Sequence, residues 1–521
     1  MTALDGQGAA RPGDLSVWAV MDTDDARSLA RSLRELIQDA HHTLALDTPP
    51  ELVTRVTGHL GCELRHVVNV VAAFPGWEHA NLQRGVDAYL AAHTPGAEWF
   101  GIAGQGREHD DIVNMLARAA RGWERYEPGA VDYEAVAIGP DETTEVISLG
   151  MVLTRAPGGT PVVLALRGAQ EHMSTDCQVV VLAPDRAAAK ESRDEIERLM
   201  REHDVYRGQI LSFAWSEYRG NDLVTFLPRP DLRPGQVVLP DGVLETIERH
   251  IVGVAEQAPR LRAHGQHLKR GLLLHGPPGT GKTHTVRYLM ARMTGCTVIV
   301  MTGGAIRFVS QAAGLARRLQ PAIVVLEDVD LVARDRSFGD DRNPLLFALL
   351  DAMDGVGADA DVTFVLTTNR ADVLERALAD RPGRVDLAVE IPRPDAAGRA
   401  ALLRLYARDL PLRADLEPIV ARTEGATASF FKELLRRAVL DALAHDGGTP
   451  AITGDLLNRA LDRMLHERAA LTRTLLGSGE PGEEEEPVPE DAYASLGGAS
   501  FPGAYGVHLP AAEPGRDQPL Q

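Results

Sequence analysis

Residues 276–283 read Gly-Pro-Pro-Gly-Thr-Gly-Lys-Thr, and they are the most informative segment of the chain. It follows the apolar run at 272–275 and precedes a helix-compatible stretch at 286–290. A strand, a glycine-rich turn ending in Gly-Lys-Thr and a helix form the context that a phosphate-binding loop, or P-loop, requires. The glycines let backbone N–H groups turn towards phosphate oxygens, and the helix adds the positive end of its dipole. The alternative is a chance turn before a helix, which the filled positions and correct flanks disfavour.

The P-loop predicts the cofactors. We expect Lys282 to reach the β- and γ-phosphates and the hydroxyl of Thr283 to ligate Mg²⁺. A nucleoside triphosphate and Mg²⁺ are therefore the expected cofactors, and the family resemblance described below implies that the triphosphate is ATP. The predicted cofactor-binding residues are Gly276, Pro277, Pro278, Gly279, Thr280, Gly281, Lys282, Thr283 and His284.

A second motif places acidic side chains at the end of another apolar run. Glu327 and Asp328 directly follow the β-forming residues 323–326. Open α/β sheets bind their ligands at the carboxyl ends of strands. We predict that one of the two carboxylates orients Mg²⁺, usually through water, and that the other is the base or positioner for the attacking water. The alternative is that both carboxylates only cap the next helix.

Two further segments complete the predicted catalytic set. Asn369 ends the apolar run at 365–368, and we expect it beside the γ-phosphate and the lytic water. Arg381 and Arg384 flank Pro-Gly before an edge strand. We predict that both arginines project from the domain and stabilise transition-state charge on a neighbouring subunit's nucleotide. By itself, such a segment is only a surface turn with two solvated arginines.

In this order, these motifs resemble the AAA ATPase family. The resemblance covers residues 237 to about 476. It implies an α/β nucleotide-binding subdomain with a helical lid, assembled into a homo-oligomeric ring that is often a hexamer and that hydrolyses ATP. The family's sensor position falls on Asn369 and its arginine-finger positions on Arg381 and Arg384. Its adenine pocket begins at the segment 237–251.

The acidic pair departs from the family pattern. The family has Asp and then Glu, whereas Glu327 precedes Asp328 in this chain. The catalytic side chain is then one methylene shorter, so water must sit closer or hydrolysis is slower. This order, together with Arg-Pro-Gly-Arg-Val-Asp, is similar to the mitochondrial ATPase that translocates the Rieske protein. We expect no counterpart of its membrane anchor.

The segment between Met301 and Arg318 lacks the aromatic–hydrophobic–glycine pore loop of the family's unfoldases. Phe308 is either a substrate grip or a packed loop residue. The lid has Thr427 where the family has the Asp of Gly-Ala-Asp. Lys432 either lies near the phosphates or, as the pattern favours, is a solvated lysine.

Apolar periodicity extends the prediction to the whole chain, as an α/β P-loop NTPase with a parallel sheet and a C-terminal helical lid, preceded by an α+β N-terminal domain. The N-terminal domain reads as helical in its first half and as strands in its second half, with a further strand at 209–213. The predicted parts are a flexible N-terminus (1–25), the α+β domain (26–215), a linker (216–236), the nucleotide-binding subdomain (237–393), the lid (394–476) and an acidic disordered tail (477–521).

Composition narrows the partners. The net charge is −20, from 54 basic and 74 acidic residues, which disfavours nucleic acid as the main partner. No apolar run approaches the length of a membrane span, and the first residues do not read as a signal peptide, so we expect a cytoplasmic protein without membrane contact. The sequence contains no HExxH motif after the lid, so it does not predict a zinc protease.

Two functions fit these expectations. The first is an ATP-driven motor whose α+β domain binds a protein client that the ring remodels. The second is a nucleotide-gated assembly or scaffold protein with weak hydrolysis. The reversed acidic pair and the missing pore signature support the second.

Overall fold

The structure is a computed structural model that describes residues 27–36, 50–107, 109–122, 125–169, 175–213, 224–332, 344–370, 384–408, 410–445 and 451–475. The predicted flexible N-terminus, the predicted acidic tail and Arg381 lie outside these ranges. Within them, none of the helices combines the length and the apolar character that crossing a bilayer demands.

The N-terminal domain is an antiparallel sheet between two pairs of helices. Its strands run in the order β1-β7-β6-β5-β2-β3, with β4 beside β5. The strands are β1 (Val68–Pro75), β2 (Trp99–Ala103), β3 (Glu127–Gly129), β4 (Asp132–Ala137), β5 (Thr143–Arg155), β6 (Pro161–Arg167) and β7 (Asp176–Ala183). The helices are α1 (27–36), α2 (Glu51–Leu60), α3 (His79–His93), α4 (Ile112–Ala120) and α5 (Arg186–Glu202).

Alternation along β6 shows why the sheet is covered on both faces. Val162, Leu164 and Leu166 pack with α3 and α5, whereas Val163 and Ala165 pack with α2 and α4. Successive side chains of a strand point to opposite faces, so a continuous apolar run requires cover on both. The α+β pattern is present, but the helical interpretation of the first half misses β1 and β2.

The second domain contains a seven-stranded sheet in the order β14-β10-β13-β12-β11-β8-β9. All neighbouring strands are parallel except β8 and β9. The strands are β8 (Ile210–Phe213), β9 (Val224–Leu227), β10 (Arg270–His275), β11 (Thr297–Thr302), β12 (Ala322–Glu327), β13 (Val362–Thr368) and β14 (Leu387–Glu390). The predicted α/β class with a parallel sheet is confirmed.

Helices cover both faces of this sheet. Those that precede or follow β10 pack on one face, and those after β11 and β12 pack on the other. They are α6 (Val243–Glu248), α7 (Val254–Glu256), α8 (Ala258–Ala263), α9 (Lys282–Arg292), α10 (Val309–Arg318), α11 (Val329–Val332) and α12 (Pro344–Asp354). A π turn at Arg249–Gly253 joins α6 to α7, and a 3₁₀ segment at Gly303–Phe308 precedes α10.

The predicted boundary between the two domains differs from the structure. Residues 209–213 were expected in the N-terminal domain and 216–236 in a linker, but β8 pairs in parallel with β11 and β9 pairs with β8. Both strands therefore extend the nucleotide-binding sheet. The apolar side chains of β8 explain this placement, because Ile210, Leu211 and Phe213 are buried against the two cores of that sheet.

The lid after β14 is helical, as predicted. It has its own apolar core, with Phe431, Leu434 and Leu435 fully or nearly fully buried. Its elements are α13 (Ala396–Ala407), α14 (Glu417–Arg422), α15 (Ala428–His445) and α16 (Gly454–Leu475), with a two-stranded parallel pair of β15 (Leu412–Arg413) and β16 (Ile452–Thr453).

A buried polar group joins the two large domains. We call Glu78, Asn81, Asp204 and Arg318 the junction cluster. Arg318 Nη2, at the end of α10, lies 2.6 Å from Glu78 Oε1 and 3.0 Å from Asp204 Oδ2. Asn81 donates from Nδ2 to both carboxylates, at 2.7 and 3.2 Å. Glu78 and Asp204 are buried, so one arginine and one amide satisfy two desolvated carboxylates.

Apolar contacts surround the junction cluster. Trp77 and Ala80 of the N-terminal domain pack against the core formed by α10 and α12. The Tyr206 ring lies 5.8 Å from that of Trp77 and 5.5 Å from that of Phe226 in β9, and its hydroxyl donates to the Trp77 carbonyl. The N-terminal domain and the nucleotide-binding sheet thus share one continuous core.

Candidate nucleotide site

The P-loop joins the end of β10 to the start of α9. Gly279 and Gly281 have φ angles of +76° and +116°, which side chains rarely tolerate. Thr280 Oγ1 donates to the Pro277 carbonyl at 2.9 Å and closes the turn. The loop residues 276–281 therefore wrap in front of the first turn of α9, as the sequence motif predicts.

Lys282 is buried beneath this loop. Its Nζ donates to the carbonyls of Gly276 and Pro277, at 2.8 and 2.9 Å, and to Asn369 Oδ1 at 2.8 Å. Burial lowers the pKa of Lys282, and the charges of Asp328 and Asp330 oppose that shift. A cation held by neutral acceptors at the edge of a loop is suited to anionic oxygens, because they form stronger hydrogen bonds than carbonyls do.

Glu327 and Thr283 are in contact at the end of β12. Burial raises the pKa of Glu327, whereas its hydrogen bond with the Thr283 side chain lowers it and the charge of Asp328 raises it further. A carboxylate and a hydroxyl are oxygen ligands of the kind that Mg²⁺ accepts in proteins. The described residues contain no set of three His, Cys, Asp or Glu side chains placed to hold a metal. As oxygen donors in contact at the end of β12, Thr283 and Glu327 fit Mg²⁺ as ligands.

Asp328 has a strained backbone. Its φ angle is +50°, in the left-handed region that residues other than glycine seldom adopt. Its backbone N–H donates to Thr367 Oγ1 at 3.0 Å, which fixes the turn after β12. Strain of this kind persists where surrounding contacts over-determine the conformation, often at functional sites. Asp328 Oδ1 accepts from Asn369 Nδ2 at 3.4 Å.

Asn369 lies between the lysine and the acidic pair. Because the Lys282 ammonium can only donate, the amide oxygen faces Lys282 and the amide nitrogen faces Asp328. The structure thus brings together three predicted residues from three strand ends: Lys282 after β10, Asp328 after β12 and Asn369 after β13.

The structure contradicts the expectation that Arg384 projects from the domain. Arg384 is only 4% exposed. Its Nε and Nη2 donate to the two carboxylate oxygens of Asp354, at 3.0 and 2.7 Å. This bidentate ion pair with α12 of its own chain holds the guanidinium inside the domain, so Arg384 forms an internal structural contact. Arg381, the other predicted finger, lies outside the described residues.

The structure also shows the surroundings of three other residues that the sequence singled out. Phe308 is partly buried against the core formed by α10 and α12, as a packed residue would be. Lys432 is exposed on α15, which is the solvated alternative. His284 lies with Nε2 at 2.9 Å from the Gln236 carbonyl, so its ring is engaged with the segment before α6.

The lid reaches the P-loop through Ser429. The Ser429 N–H donates to the Gly279 carbonyl at 3.2 Å, and a side chain on Gly279 would meet the Ser429 hydroxyl at 2.4 Å. Beside this contact is a cavity of about 250 Å³, lined by residues 238–241, by Thr280 and by the segment from Pro392 to Leu402, with Ala428. It lies where the adenine pocket was expected to begin.

Sequence reasoning missed Asp330. This carboxylate is 4% exposed in α11. Its Oδ1 accepts from Thr368 Oγ1 and from the Asn369 N–H, both at 3.0 Å. The available signal was its position in the sequence, because it follows the acidic pair by two residues and falls in the same cluster of carboxylates.

Comparison with known proteins identifies a family of domains that matches part of this chain. Residues 272–393 match the family described as "ATPase family associated with various cellular activities (AAA)". The ATP-dependent zinc metalloprotease FtsH of Mycobacterium tuberculosis is 36% identical over 278 residues, which cover 50% of this chain and 35% of that protein. FtsH 3 of Sphaerobacter thermophilus is 35% identical over 272 residues, covering 49% and 54%. FtsH 2 of Symbiobacterium thermophilum is 34% identical over 271 residues, covering 49% and 45%.

The chain spans between 35% and 54% of the length of these three relatives. The matched region includes the P-loop, the acidic pair and Asn369. The strand order and the carboxyl-edge position of the site agree with that assignment. The chain therefore carries an AAA-type ATPase domain at residues 272–393.

Proposed function

We propose that this protein binds ATP with Mg²⁺, hydrolyses it at a site shared between subunits of a homo-oligomeric ring, and uses the cycle to remodel a protein client. The observation that carries the proposal is the convergence of Lys282, Asp328 and Asn369 at the carboxyl edge of one parallel sheet. These side chains bond to each other or to loop carbonyls, all of which phosphate oxygens and water can replace.

Each group has a defined task in this proposal. The P-loop N–H groups and Lys282 hold the phosphates, and Thr283 with Glu327 holds Mg²⁺, Glu327 through water. Held by these residues, Mg²⁺ would supply positive charge next to the phosphate oxygens. Asp328 accepts the proton of the attacking water, and Asn369 orients that water. The cavity beside Leu239 and Gly398 takes the base.

The order of the acidic pair sets how Asp328 acts. An aspartate is one methylene shorter than the glutamate of the family pattern, so it reaches less far from the strand. The left-handed φ angle of Asp328 redirects its side chain, and the bond to Asn369 ties it to the water-orienting residue. We propose that this turn compensates for the shorter reach.

The partner subunit is proposed to supply Arg381. Because Arg384 is engaged with Asp354, the finger role falls on Arg381 alone. An arginine reaching a neighbour's nucleotide stabilises charge in the transition state and couples adjacent subunits. A closed ring, for which we favour six subunits, gives each site such a neighbour.

We propose that the N-terminal domain receives the client and transmits the ATPase cycle. The junction cluster fixes it to the last residue of α10, and the 3₁₀ segment before α10 follows directly from β11. Movement of the nucleotide-binding sheet is thereby passed to the N-terminal domain. We place this activity in the cytoplasm, with no nucleic acid or membrane partner.

One observation favours a second function. Phe308 packs against the domain core, so the segment that replaces the pore loop presents no free aromatic side chain among its described residues 302–308. A ring without such a grip fits a nucleotide-gated assembly, in which ATP mainly switches the oligomeric state and hydrolysis is weak.

Steady-state hydrolysis by wild type and Asp328→Asn tests the proposal. We expect wild type to turn over ATP and the variant to bind ATP with similar affinity but to hydrolyse it about 100-fold more slowly. Asp141→Asn, at an exposed carboxylate between β4 and β5, is the matched control and retains the wild-type rate. If wild type is no faster than Asp328→Asn, the motor is excluded and the nucleotide-gated assembly remains.

A further inference from the structure

We propose that Asp330 is a positioning residue for hydrolysis, which acts by holding Asn369 between Lys282 and Asp328. The inference rests on the proposed ATPase function and adds a residue to it. Asp330 does not touch the nucleotide-binding loop in the described contacts; it acts one residue away from the reacting groups.

Asp330 is a buried residue whose hydrogen bonds converge on one turn. Its carboxylate is 4% exposed, and burying an ionised carboxylate is costly unless hydrogen bonds compensate. Its two hydrogen-bond donors, the Thr368 hydroxyl and the Asn369 N–H, lie on the turn that ends β13. A buried charge whose bonds converge on one turn fixes that turn strongly, since hydrogen bonds to ionised acceptors are stronger than neutral ones.

The Thr368 hydroxyl links Asp330 to the turn after β13. Thr368 Oγ1 donates to Asp330 and accepts from the Arg370 N–H at 3.0 Å. The direction of the hydroxyl proton is therefore set, because an N–H can only donate and the carboxylate only accepts. Asp330 thus organises the backbone on both sides of Asn369.

The backbone at Asn369 carries the side chain that contacts both Lys282 and Asp328. The side chain of Asn369 meets Lys282 with its oxygen and Asp328 with its nitrogen. A short side chain on a fixed backbone has little freedom to leave that position. Removing the Asp330 acceptors frees the Asn369 backbone, and the amide then loses its alignment with the catalytic carboxylate.

Charge is a separable contribution of Asp330. Its negative charge raises the pKa of Lys282 against the larger effect of burial. The hydrogen bonds use a single oxygen, Oδ1, so Asp330→Asn keeps the acceptor and removes the charge. Asp330→Ala removes both. The pair distinguishes positioning from electrostatic support of the lysine.

A double-mutant cycle in the full chain tests the proposal. We expect Asp330→Ala to lower kcat by about 10- to 100-fold with the dissociation constant for ATP changed less than about 3-fold. Asp330→Asn should recover most of that loss. Because Asp330 acts through Asn369, Asp330→Ala combined with Asn369→Ala should be no slower than Asn369→Ala alone.

Two results would overturn the proposal. One is a wild-type kcat in Asp330→Ala; the other is a double variant slowed by the full product of the two single effects. If Asp330→Ala does not fold, Thr368→Val and Thr368→Ser replace it, because only the valine variant removes the hydroxyl that donates to Asp330. The valine variant must then lower kcat, and equal rates for the two Thr368 variants would also refute the proposal. Loss of the proposed function itself is recognised separately, by wild type hydrolysing no faster than Asp328→Asn.

Discussion

The junction cluster and the nucleotide site each set two carboxylates near one cation, but they distribute the charges differently. At the junction, Arg318 Nη2 bonds directly to Glu78 and Asp204. At the site, Lys282 Nζ bonds to two carbonyls and an amide oxygen, and Asn369 stands between it and Asp328. At the junction, the charged groups are paired with each other. At the site, the Lys282 ammonium bonds to neutral acceptors and can still pair with an anionic ligand.

A structural ion cluster and a reactive one differ in how their charges are paired. When two desolvated charges pair directly, loss of one partner leaves the other buried without a counter-charge, and the folded state is destabilised. Separation by a neutral amide leaves each charge only weakly coupled to the fold. We therefore expect changes at the junction to alter mainly stability and changes at the site to alter mainly turnover.

Lys282→Ala is the largest predicted effect. Loss of the phosphate-binding cation should reduce ATP hydrolysis by about 1000-fold, as loss of one preorganised donor in an enzyme site can do. Thermal unfolding should change little, because no carboxylate depends on this ammonium for its hydrogen bonds among the contacts described. Hydrolysis and unfolding are measured on the same preparation, with Lys432→Ala on the exposed face of α15 as control.

Arg318→Ala is the corresponding test of the junction. It leaves two carboxylates buried without their cation, so the free energy of unfolding should fall by about 3 kcal/mol. Urea denaturation measures this loss. Arg317→Ala, which removes an exposed neighbour bonded to the Gly355 carbonyl, should cost far less. Equal losses in the two variants would show that the junction cluster contributes no special stability.

Arg384→Ala distinguishes a structural role of Arg384 from a role as an arginine finger in catalysis. Because its guanidinium pairs with Asp354 inside the chain, we expect a loss of about 1 to 2 kcal/mol in stability and nearly unchanged hydrolysis per folded molecule. Urea denaturation and steady-state hydrolysis provide both values, with Arg413→Ala at an exposed position as control. Abolished hydrolysis in a stable Arg384→Ala protein would restore the finger role that the sequence predicted.

The smallest predicted effect concerns pH at the junction. Burial raises the pKa of Glu78 above 4.5, against the opposing influence of Arg318. Between the pKa of the unfolded chain and this raised value, the folded state binds more protons, so ionised Glu78 imposes a penalty that is relieved as pH falls. The stability of wild type relative to Glu78→Gln should therefore increase as pH falls from 7.5 towards 4.5, by less than about 1 kcal/mol. A difference independent of pH would contradict this.

The nucleotide-binding strands could be predicted from the sequence because each is a short apolar run ending in polar residues. The run at 323–326, followed by Glu327, became β12 almost residue for residue. The P-loop was equally readable, since its glycines and lysine are tied to local backbone geometry. Local pattern and final structure agree wherever the chain needs no distant partner to define an element.

What could not be predicted depends on contacts between distant parts of the chain. The apolar pattern of β8 shows a strand but not which sheet it joins, and its partner β11 lies more than eighty residues away. The burial of Arg384 requires α12, which the sequence does not place beside it. In the sequence, Asp330 resembles any acidic helix residue, because its two donors lie at the end of β13 and directly after it.

Mixing inactive subunits tests whether the ATPase site is shared between neighbouring subunits. Subunits carrying Lys282→Ala are mixed with subunits carrying Arg381→Ala, and steady-state hydrolysis is measured after subunit exchange. We predict that the mixture is faster than either variant alone, because some interfaces combine an intact Lys282 with an intact Arg381. The matched control mixes Lys282→Ala with Asp328→Asn, which affect the same half of the site and should show no rescue. If the first mixture is no faster than its separate components, the shared site is contradicted.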